Sequence, residues 1–147
     1  LDNTKPDSVL QAEVFTKQLM VASEYERCVS IHNVRSEGLI QRLMKIEGKG
    51  CRSVILHSFT GPVATIPSFV KMNAYFSVSP RLMLKSRENA ELILSKIPDE
   101  RLLIETDAPS TPGSFTDMRT FIADIAEIKG IEVDDEGELV AACLAQF

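Results

Sequence analysis

Short apolar runs alternate along the chain with stretches in which apolar residues recur every three or four positions, the pattern of β-strands that alternate with α-helices. The apolar runs predict buried strands at residues 28–32, 53–57, 74–78 and 102–106. The periodic stretches predict helices at about 9–25, 37–46, 63–72, 87–96, 116–129 and 135–146. Gly48 and Gly130 follow two of these stretches, a position at which glycine commonly ends a helix.

Strands that are separated by single helices pair in parallel, because the connecting helix returns the chain to the same end of the sheet. The pattern is therefore typical of an α/β fold, either a doubly wound open sheet or part of a (β/α)8 barrel, and it does not distinguish the two. Pro67 is an unfavourable residue inside the third helix. We expect one apolar stripe of the first helix to face the core: Leu10, Val14, Phe15, Met20, Val21 and Ala22.

The composition is that of a folded chain about one domain long, since 44% of its 147 residues are hydrophobic and 25% are charged. The net charge of −5 is local: residues 131–147 carry five acidic and no basic residues, whereas residues 1–130 carry 16 of each sign. This balance argues against a protein that wraps nucleic acid with a basic face. A phosphate-bearing substrate would instead require a metal ion or a few well-placed cations.

The cysteine pattern bears on the redox compartment of the protein. The chain has three cysteines, an odd number, and they are widely spaced and set among apolar neighbours: Cys28, Cys51 and Cys143. We therefore expect buried free thiols in a reducing compartment, not a disulfide framework or a zinc ribbon. With no run of about 18 apolar residues and no basic-then-apolar start, we expect no membrane span and no secretory leader. These features predict a cytoplasmic protein, with the nucleus as the alternative. Because the first residue is Leu1 and not Met, the sequence leaves open that it begins within a larger protein.

Ligating side chains stand at three of the predicted strand ends. His32 closes the first strand, His57 closes the second, and Asp107 follows the fourth by one residue. Because the carboxyl ends of parallel strands share one rim, these side chains are expected to converge. Two imidazoles and a carboxylate are suitable ligands for a divalent metal that activates water. Taken singly, each has a structural alternative: a hydrogen-bonded core histidine, or an aspartate that caps a loop.

Four segments carry a family resemblance: Ser30-Ile31-His32, the run from Ile55 to Gly61, the run from Tyr75 to Ser79, and the run from Ile97 to Pro109. The His-Ser-Phe-Thr-Gly and Glu-Thr-Asp-x-Pro motifs, in this order and spacing, are specific. The chain resembles the second half of the TatD-related deoxyribonucleases, metal-dependent hydrolases of the amidohydrolase-like barrel superfamily, over nearly its whole length.

The resemblance implies a fold as well as a family. A full TIM-type barrel needs about 250 residues and eight strands. The chain would then be four consecutive βα units of such a (β/α)8 barrel, strands five to eight, plus a C-terminal helix. Residues 1–147 would form one partial, carboxyl-terminal hydrolase domain.

The resemblance also implies the chemistry. His32 and His57 would ligate a divalent cation, Mg²⁺, Mn²⁺ or Zn²⁺, and Asp107 would face a second metal position or act as the base that deprotonates water. The activity implied is cleavage of DNA phosphodiester bonds by a metal-activated water. Weaker candidates for phosphate contacts lie in the loops, where ordinary loop hydrogen bonding is the alternative for all but the glycine: Arg35, Ser58, Thr60 and Gly61.

The sequence departs from the family at two metal-binding motifs. The His-x-His pair is absent, and so is the bridging glutamate of the Glu-Ile-Gly-Leu-Asp motif, of which Leu1-Asp2 look like the last two residues. Whether this chain is an enzyme by itself therefore stays open. The alternative is a catalytically inactive, truncated homologue with a structural or interaction role, and we expect self-association or pairing with a missing amino-terminal half.

A doubly wound binding domain is a third function class, but no GxGxxG or GxxxxGK[ST] loop supports a nucleotide-binding version. Glu105 lies two residues before Asp107, and we expect a buried barrel carboxylate there, not a principal metal ligand.

Overall fold

The computed structural model describes residues 1–107 and 118–131. Helices and strands alternate along it in the order α1 (Ser8–Glu24), β1 (Val29–His32), α2 (Glu37–Ile46), β2 (Val54–His57), α3 (Ile66–Val70), β3 (Ala74–Val78), α4 (Arg81–Lys85), α5 (Arg87–Lys96), β4 (Leu102–Ile104) and α6 (Met118–Lys129). Short 3-10 turns at Val63–Thr65 and Asp99–Arg101 precede α3 and β4. The predicted helix at 135–146 and Cys143 lie outside the described residues.

The strands confirm the predicted α/β class. They follow one another in the sheet in chain order, β1-β2-β3-β4. β1 pairs with β2 in parallel, with Val29 beside Val54, and β3 pairs with β4 in parallel, with Phe76 beside Leu102. Parallel pairing follows from the helical crossovers, as the alternating pattern indicates.

The chain divides into two compact units, each with its own apolar core. Unit 1 comprises Leu1–His57 and Ala64–Tyr75, and unit 2 comprises Ser58–Val63 and the described residues from Phe76 onward. Unit 1 buries Leu19, Ala22, Ile31, Ile40, Met44, Val54, Leu56, Ile66 and Phe69. Unit 2 buries Phe76, Val78, Leu82, Ala90, Ile93, Leu94, Ile97, Leu102, Phe121 and Ile125.

The predicted stripe of α1 is wrong for most of its members. Leu10, Val14, Met20 and Val21 are 46–57% exposed. The helix instead turns Leu19 and Ala22 into the core, with Phe15 half-buried beside them. These three residues are spaced i, i+4 and i+7 and form one face, whereas the six predicted residues mix that face with the opposite one.

The carboxyl end of α1 is a Schellman motif with an unusual residue. The amide of Arg27 donates to the carbonyl of Ala22 at 2.8 Å, and the amide of Glu26 donates to Ser23 at 3.3 Å. Glu26 itself has φ 49°, in the left-handed region where glycine is preferred. At the end of α6, Gly130 occupies the equivalent position with φ 66°. The motif therefore stores strain in α1 that α6 avoids.

We expect Glu26→Gly to raise the free energy of unfolding by about 1 kcal/mol, because glycine adopts a left-handed φ without the clash that a Cβ causes. Urea unfolding at equilibrium measures the change. The matched control is Glu24→Gly, inside the last turn of α1, which should lower stability by up to about 1 kcal/mol. Destabilisation by both variants would show that the left-handed φ of Glu26 is not strained.

Several local predictions are corrected by the structure. The helix predicted at 63–72 is a 3-10 turn at Val63–Thr65 followed by the short α3. Pro67 lies in the first turn of α3, where its missing amide costs no hydrogen bond. Helix α4 was not predicted. It ends at Lys85, and the next residue, Ser86, is extended. The Ser86 hydroxyl accepts a hydrogen bond from the amide of Asn89 and so caps α5.

The expected burial of the cysteines is wrong for Cys28, which is exposed, while Cys51 is half-buried. Cys28 precedes the first residue of β1 and therefore lies outside the buried part of the strand. Its sulfur accepts a hydrogen bond from the hydroxyl of Ser53 at 3.0 Å. Both described cysteines are free thiols, as predicted.

A buried lysine at the end of α6 caps the carboxyl end of α5 in unit 2. The Lys129 side chain is only 5% exposed, and its Nζ donates to the carbonyls of Leu94 at 2.9 Å and Ile97 at 2.7 Å. It also forms an ion pair with Asp99 at 2.7 Å. Because the last carbonyls of a helix have no partner within the helix, this ammonium satisfies groups that would otherwise be buried without hydrogen bonds.

Candidate functional site at the strand ends

The two histidines of the chain lie side by side in unit 1. His32 ends β1 and His57 ends β2, and the two residues are direct partners in the parallel register. Adjacent strands are about 4.8 Å apart, and paired residues in parallel strands project from the same face. Two imidazoles placed in this way can reach one ion. The structure therefore brings together two of the three residues that the sequence predicts as metal ligands.

The histidine pair is open to solvent on one side. In β1, Ile31 is 3% exposed, whereas Ser30 and His32 on the other face are exposed. His57 is half-buried, and the next residue on its face toward the start of β2, Ile55, is half-buried as well. The pair can therefore exchange a ligand with solvent without any movement of the strands.

A carboxylate lies near His32. Hydrogen bonds from the hydroxyl of Thr4 at 2.5 Å and from its amide at 2.8 Å lower the pKa of the Asp2 carboxyl. The charges of Lys5 and His32 lower this pKa further. Asp2 was not predicted as a site residue. Its position follows from backbone pairing beyond the end of β1, which the sequence does not show.

The loop after β2 is held by serine hydroxyls in unit 2. The amide of Ser58 donates to the Ser77 hydroxyl at 3.1 Å, and the Ser58 and Ser79 hydroxyls are 2.9 Å apart. Phe59 anchors the same loop, with its ring edge-to-face against Phe76 at 5.1 Å and its amide bonded to the Ser77 carbonyl. Thr60 and Gly61 follow and are half-buried. Thr60 and Gly61, both predicted to contact phosphate, therefore follow directly after the anchored Phe59.

Ser77 and Ser79 were missed as site residues, although both are almost fully buried, at 3% and 1% exposure. Buried hydroxyls are hydrogen-bonded in nearly all proteins, so a serine at the end of an apolar strand indicates a polar partner nearby. The available signal was the pair of serines flanking Val78 in an otherwise apolar run.

We expect Ser77→Ala to destabilise unit 2 by about 1–2 kcal/mol and to speed hydrogen exchange of the Ser58 amide at least about tenfold, because that amide loses its acceptor. Native-state hydrogen exchange measures both. Ser53→Ala is the control: this buried serine donates to the Cys28 sulfur, a weak acceptor, and its loss should leave the Ser58 amide unchanged. Unchanged exchange in Ser77→Ala would contradict the proposed hold on the loop.

The end of β4 carries the predicted carboxylates in unit 2. The Glu105 amide donates to the Val78 carbonyl at 2.9 Å, and Glu105 Oε1 is shielded from solvent. Asp107 is half-buried. No three His, Cys, Asp or Glu side chains within residues 1–107 and 118–131 are grouped closely enough to hold a metal ion. Among the described residues, the register places two imidazoles together, and imidazole nitrogen is a suitable ligand for a divalent cation such as Zn²⁺ or Mn²⁺.

Three residues predicted for the site share a rare backbone conformation. Arg35, Ser58 and Asp107 have φ values of 53°, 47° and 54°, and each follows the carboxyl end of a strand. A non-glycine residue in the left-handed region costs about 1–3 kcal/mol and persists only where its surroundings hold it there. Asp7, Glu26 and Asn73 also have positive φ and are not predicted site residues, so this conformation does not by itself identify the site.

No helix in the part of the chain that the structure describes is long and apolar enough to cross a membrane.

The sequence profile of the family described as TatD related DNase matches residues 1–144. An uncharacterized metal-dependent hydrolase of Bacillus subtilis, YabD, is 32% identical over 134 residues, which cover 86% of this chain and 52% of that protein. The 3'-5' ssDNA/RNA exonuclease TatD of Erwinia tasmaniensis is 27% identical over 146 residues, 92% of this chain and 56% of that protein. The chain thus spans about half the length of these relatives.

The fold has a close likeness among solved structures. The crystal structure of the TatD homologue YjjV from Escherichia coli superimposes with a TM-score of 0.78 at 21% sequence identity. The superposition covers 99% of this chain and 59% of that one. At this identity the likeness concerns the fold alone, and it shows four parallel strands arranged as in a part of that longer chain.

Proposed function

The chain belongs to the TatD related DNase family, and on that basis we propose that side chains at the ends of its strands are metal ligands of a DNA phosphodiesterase. The observation that carries the proposal is the register of β1 and β2, which sets His32 directly beside His57. We further propose that the four strands correspond to strands five to eight of a (β/α)8 barrel, in a partial domain that spans the chain.

In this proposal His32 and His57 hold a divalent cation, Mg²⁺, Mn²⁺ or Zn²⁺. When bound, such a cation supplies Lewis acidity, which lowers the pKa of water and offsets phosphate charge. Asp107 serves as a further ligand or as the base that removes a proton from water. The proposal is supported by the name of the Bacillus subtilis relative, a metal-dependent hydrolase.

DNA is the proposed substrate. The Erwinia tasmaniensis relative is named an exonuclease of single-stranded DNA and RNA. The balanced charge of residues 1–130 favours a few specific phosphate contacts over a broad basic surface. We assign these contacts to Arg35, whose planar guanidinium can bind a phosphate oxygen, and to the Ser58 hydroxyl, Thr60 and Gly61. The cytoplasmic location, with the nucleus as alternative, stays a prediction from the sequence.

We propose that catalysis requires more metal ligands than this chain supplies. The chain spans about half the length of its relatives, and its described residues include no group of three possible ligands. The second candidate function is therefore an inactive, truncated homologue with an interaction role. The exposed apolar residues of α1 favour that alternative, since they offer a surface to another chain.

A nuclease assay separates these candidates. A fluorescently labelled single-stranded DNA is incubated with Mn²⁺ and one of two proteins. One is the 147-residue chain, and the other is a chimera in which the unmatched part of the Bacillus subtilis hydrolase is joined to the amino end of this chain. We expect cleavage by the chimera alone, and loss of that cleavage in chimeric His57→Ala. Equal cleavage by the chain and the chimera would refute the need for further ligands. A chimera that folds but does not cleave would favour the inactive homologue.

A further inference from the structure

Two serine hydroxyls of unit 2 form a hydrogen bond whose direction bears on the site. Ser58 lies in the loop after β2 and Ser79 directly follows β3, and their hydroxyl oxygens are 2.9 Å apart. By this distance alone, either hydroxyl could be the donor. Their surroundings differ, because Ser79 is only 1% exposed whereas Ser58 is half-buried. Within residues 1–107 and 118–131, the hydrogen-bond partner of the Ser79 hydroxyl is Ser58.

Burial decides which of the two hydroxyls donates. A serine hydroxyl has one proton and two acceptor lone pairs. A buried hydroxyl proton is donated to a partner in nearly all proteins, because leaving it without an acceptor is costly, whereas a half-buried hydroxyl can donate to water. Ser79 therefore donates to Ser58. The proton of the Ser58 hydroxyl is then directed away from Ser79, toward the side that solvent reaches.

The remainder of Ser58 is held by the same part of unit 2. Its amide donates to the Ser77 hydroxyl at 3.1 Å and so fixes the left-handed backbone of Ser58, with φ 47°. Ser79 is itself fixed at the start of α4, because its carbonyl accepts a hydrogen bond from the Leu82 amide at 2.9 Å. The buried serines at the carboxyl end of β3 thus hold both the amide and the hydroxyl of Ser58.

A hydroxyl held in this way acts as a donor toward a ligand. The Ser58 oxygen accepts a hydrogen bond from Ser79, which leaves the Ser58 proton for an incoming acceptor. Phosphate oxygens are such acceptors, and serine hydroxyls commonly donate to them. The bond from Ser79 also polarises the Ser58 hydroxyl and strengthens its donation, since hydrogen bonds in a chain reinforce one another.

We propose that Ser79 is a positioning residue, which directs the proton of the Ser58 hydroxyl so that Ser58 donates to a phosphate oxygen of the substrate. The inference rests on the proposed contact between Ser58 and phosphate. It adds a role for Ser79, which is buried too deeply to contact a ligand itself. Ser79 then affects phosphate affinity only through the Ser58 hydroxyl.

A double-mutant cycle tests this dependence. Inorganic phosphate is titrated into the isotope-labelled 147-residue chain without a divalent cation, and its dissociation constant is measured from the amide resonances of Thr60 and Gly61. We expect Ser58→Ala to weaken phosphate binding about three- to tenfold, and Ser79→Ala to weaken it about two- to fivefold. In the Ser58→Ala background, Ser79→Ala should change the affinity by less than about 1.5-fold, because the hydroxyl through which it acts is gone.

Three variants separate positioning from packing. Ser79→Thr keeps the hydroxyl and should keep the phosphate affinity within about twofold of that of the unchanged chain. Ser79→Cys is close to serine in size but offers only a weak donor, so it should bind phosphate as weakly as Ser79→Ala. Ser53→Ala removes a buried serine hydroxyl from unit 1 and should leave the affinity unchanged.

The outcomes distinguish this inference from the proposed function. An equal loss of affinity on Ser79→Ala in both backgrounds would overturn the inference, because Ser79 would then act through the stability of the loop. Unchanged affinity in Ser79→Ala, together with a loss in Ser58→Ala, would overturn the inference but leave the proposed contact of Ser58 with phosphate intact. If Ser58→Ala has no effect, or if phosphate does not shift the loop amides, both the contact and the inference are wrong. The metal site is not involved in this titration.

Discussion

His57→Ala is expected to weaken binding of Mn²⁺ or Zn²⁺ to the chain by at least about 100-fold, because it removes one of two imidazoles that the register places side by side. Two ligands on one rigid strand pair bind an ion together, and a single remaining imidazole binds little better than a surface histidine. His32→Ala should have a similar effect, and the double variant should bind the cations no more weakly than either single variant. Isothermal titration calorimetry with each cation measures these affinities.

Ser30→Ala provides the control for the histidine variants. Ser30 lies on the same exposed face of β1, two residues before His32, and it is replaced by a side chain of similar size. The affinity of the Ser30→Ala variant for both cations should stay within about twofold of that of the unchanged chain. Affinity that survives in both single histidine variants would show that the ion binds elsewhere, and the ligand assignment would then be wrong.

Lys129→Met is expected to lower the free energy of unfolding by about 2–4 kcal/mol, the largest effect on stability that we predict. Methionine fills a similar volume but leaves the carbonyls of Leu94 and Ile97 without the ammonium that now binds both. Asp99 contributes less, because it is 63% exposed and water can solvate it once the lysine is gone. Urea unfolding monitored by circular dichroism, with hydrogen exchange at α5, measures the loss.

The matched control is Lys96→Met, in the last turn of α5, the helix whose end Lys129 of α6 binds. Lys96 is exposed, and an exposed substitution of this kind changes stability by within about 0.5 kcal/mol. The comparison separates the loss of the buried hydrogen bonds from the loss of a positive charge near the end of α5. Equal effects of the two substitutions would mean that Lys129 acts only through its charge.

Much of the fold can be predicted from local sequence, because local residues determine it. The predicted bounds of α2, α5 and β3 are those of the structure, and the serines and glycine next to the two helices are typical of helix ends. Helix α4 was missed because five residues are too few to show a helical period. The exposed face of α1 was assigned wrongly because burial depends on which elements cover a helix.

The candidate site is predictable only in part, for a related physical reason. A histidine at the end of an apolar run is visible in the sequence, but the residue beside it depends on strand register, which backbone hydrogen bonds and packing determine over long separations. The Ser58 loop shows the same limit, because Ser77 and Ser79 acquire their role from a contact about 20 residues away in the chain. The placement of Asp107 as a metal ligand stays a prediction.

The chain-order sheet bears on how the protein folds. Val29 pairs with Val54 and Phe76 with Leu102, so each strand pairing closes a loop of about 25 residues. Loop-closure entropy rises only slowly with length, so the two pairings cost nearly the same, and neither waits for a distant part of the polypeptide. These contacts are more local than those of a parallel sheet whose strands pair out of chain order, and they therefore slow folding less. We therefore expect each strand to find its partner as soon as the intervening helix has left the ribosome, which makes the fold well suited to assembly during synthesis.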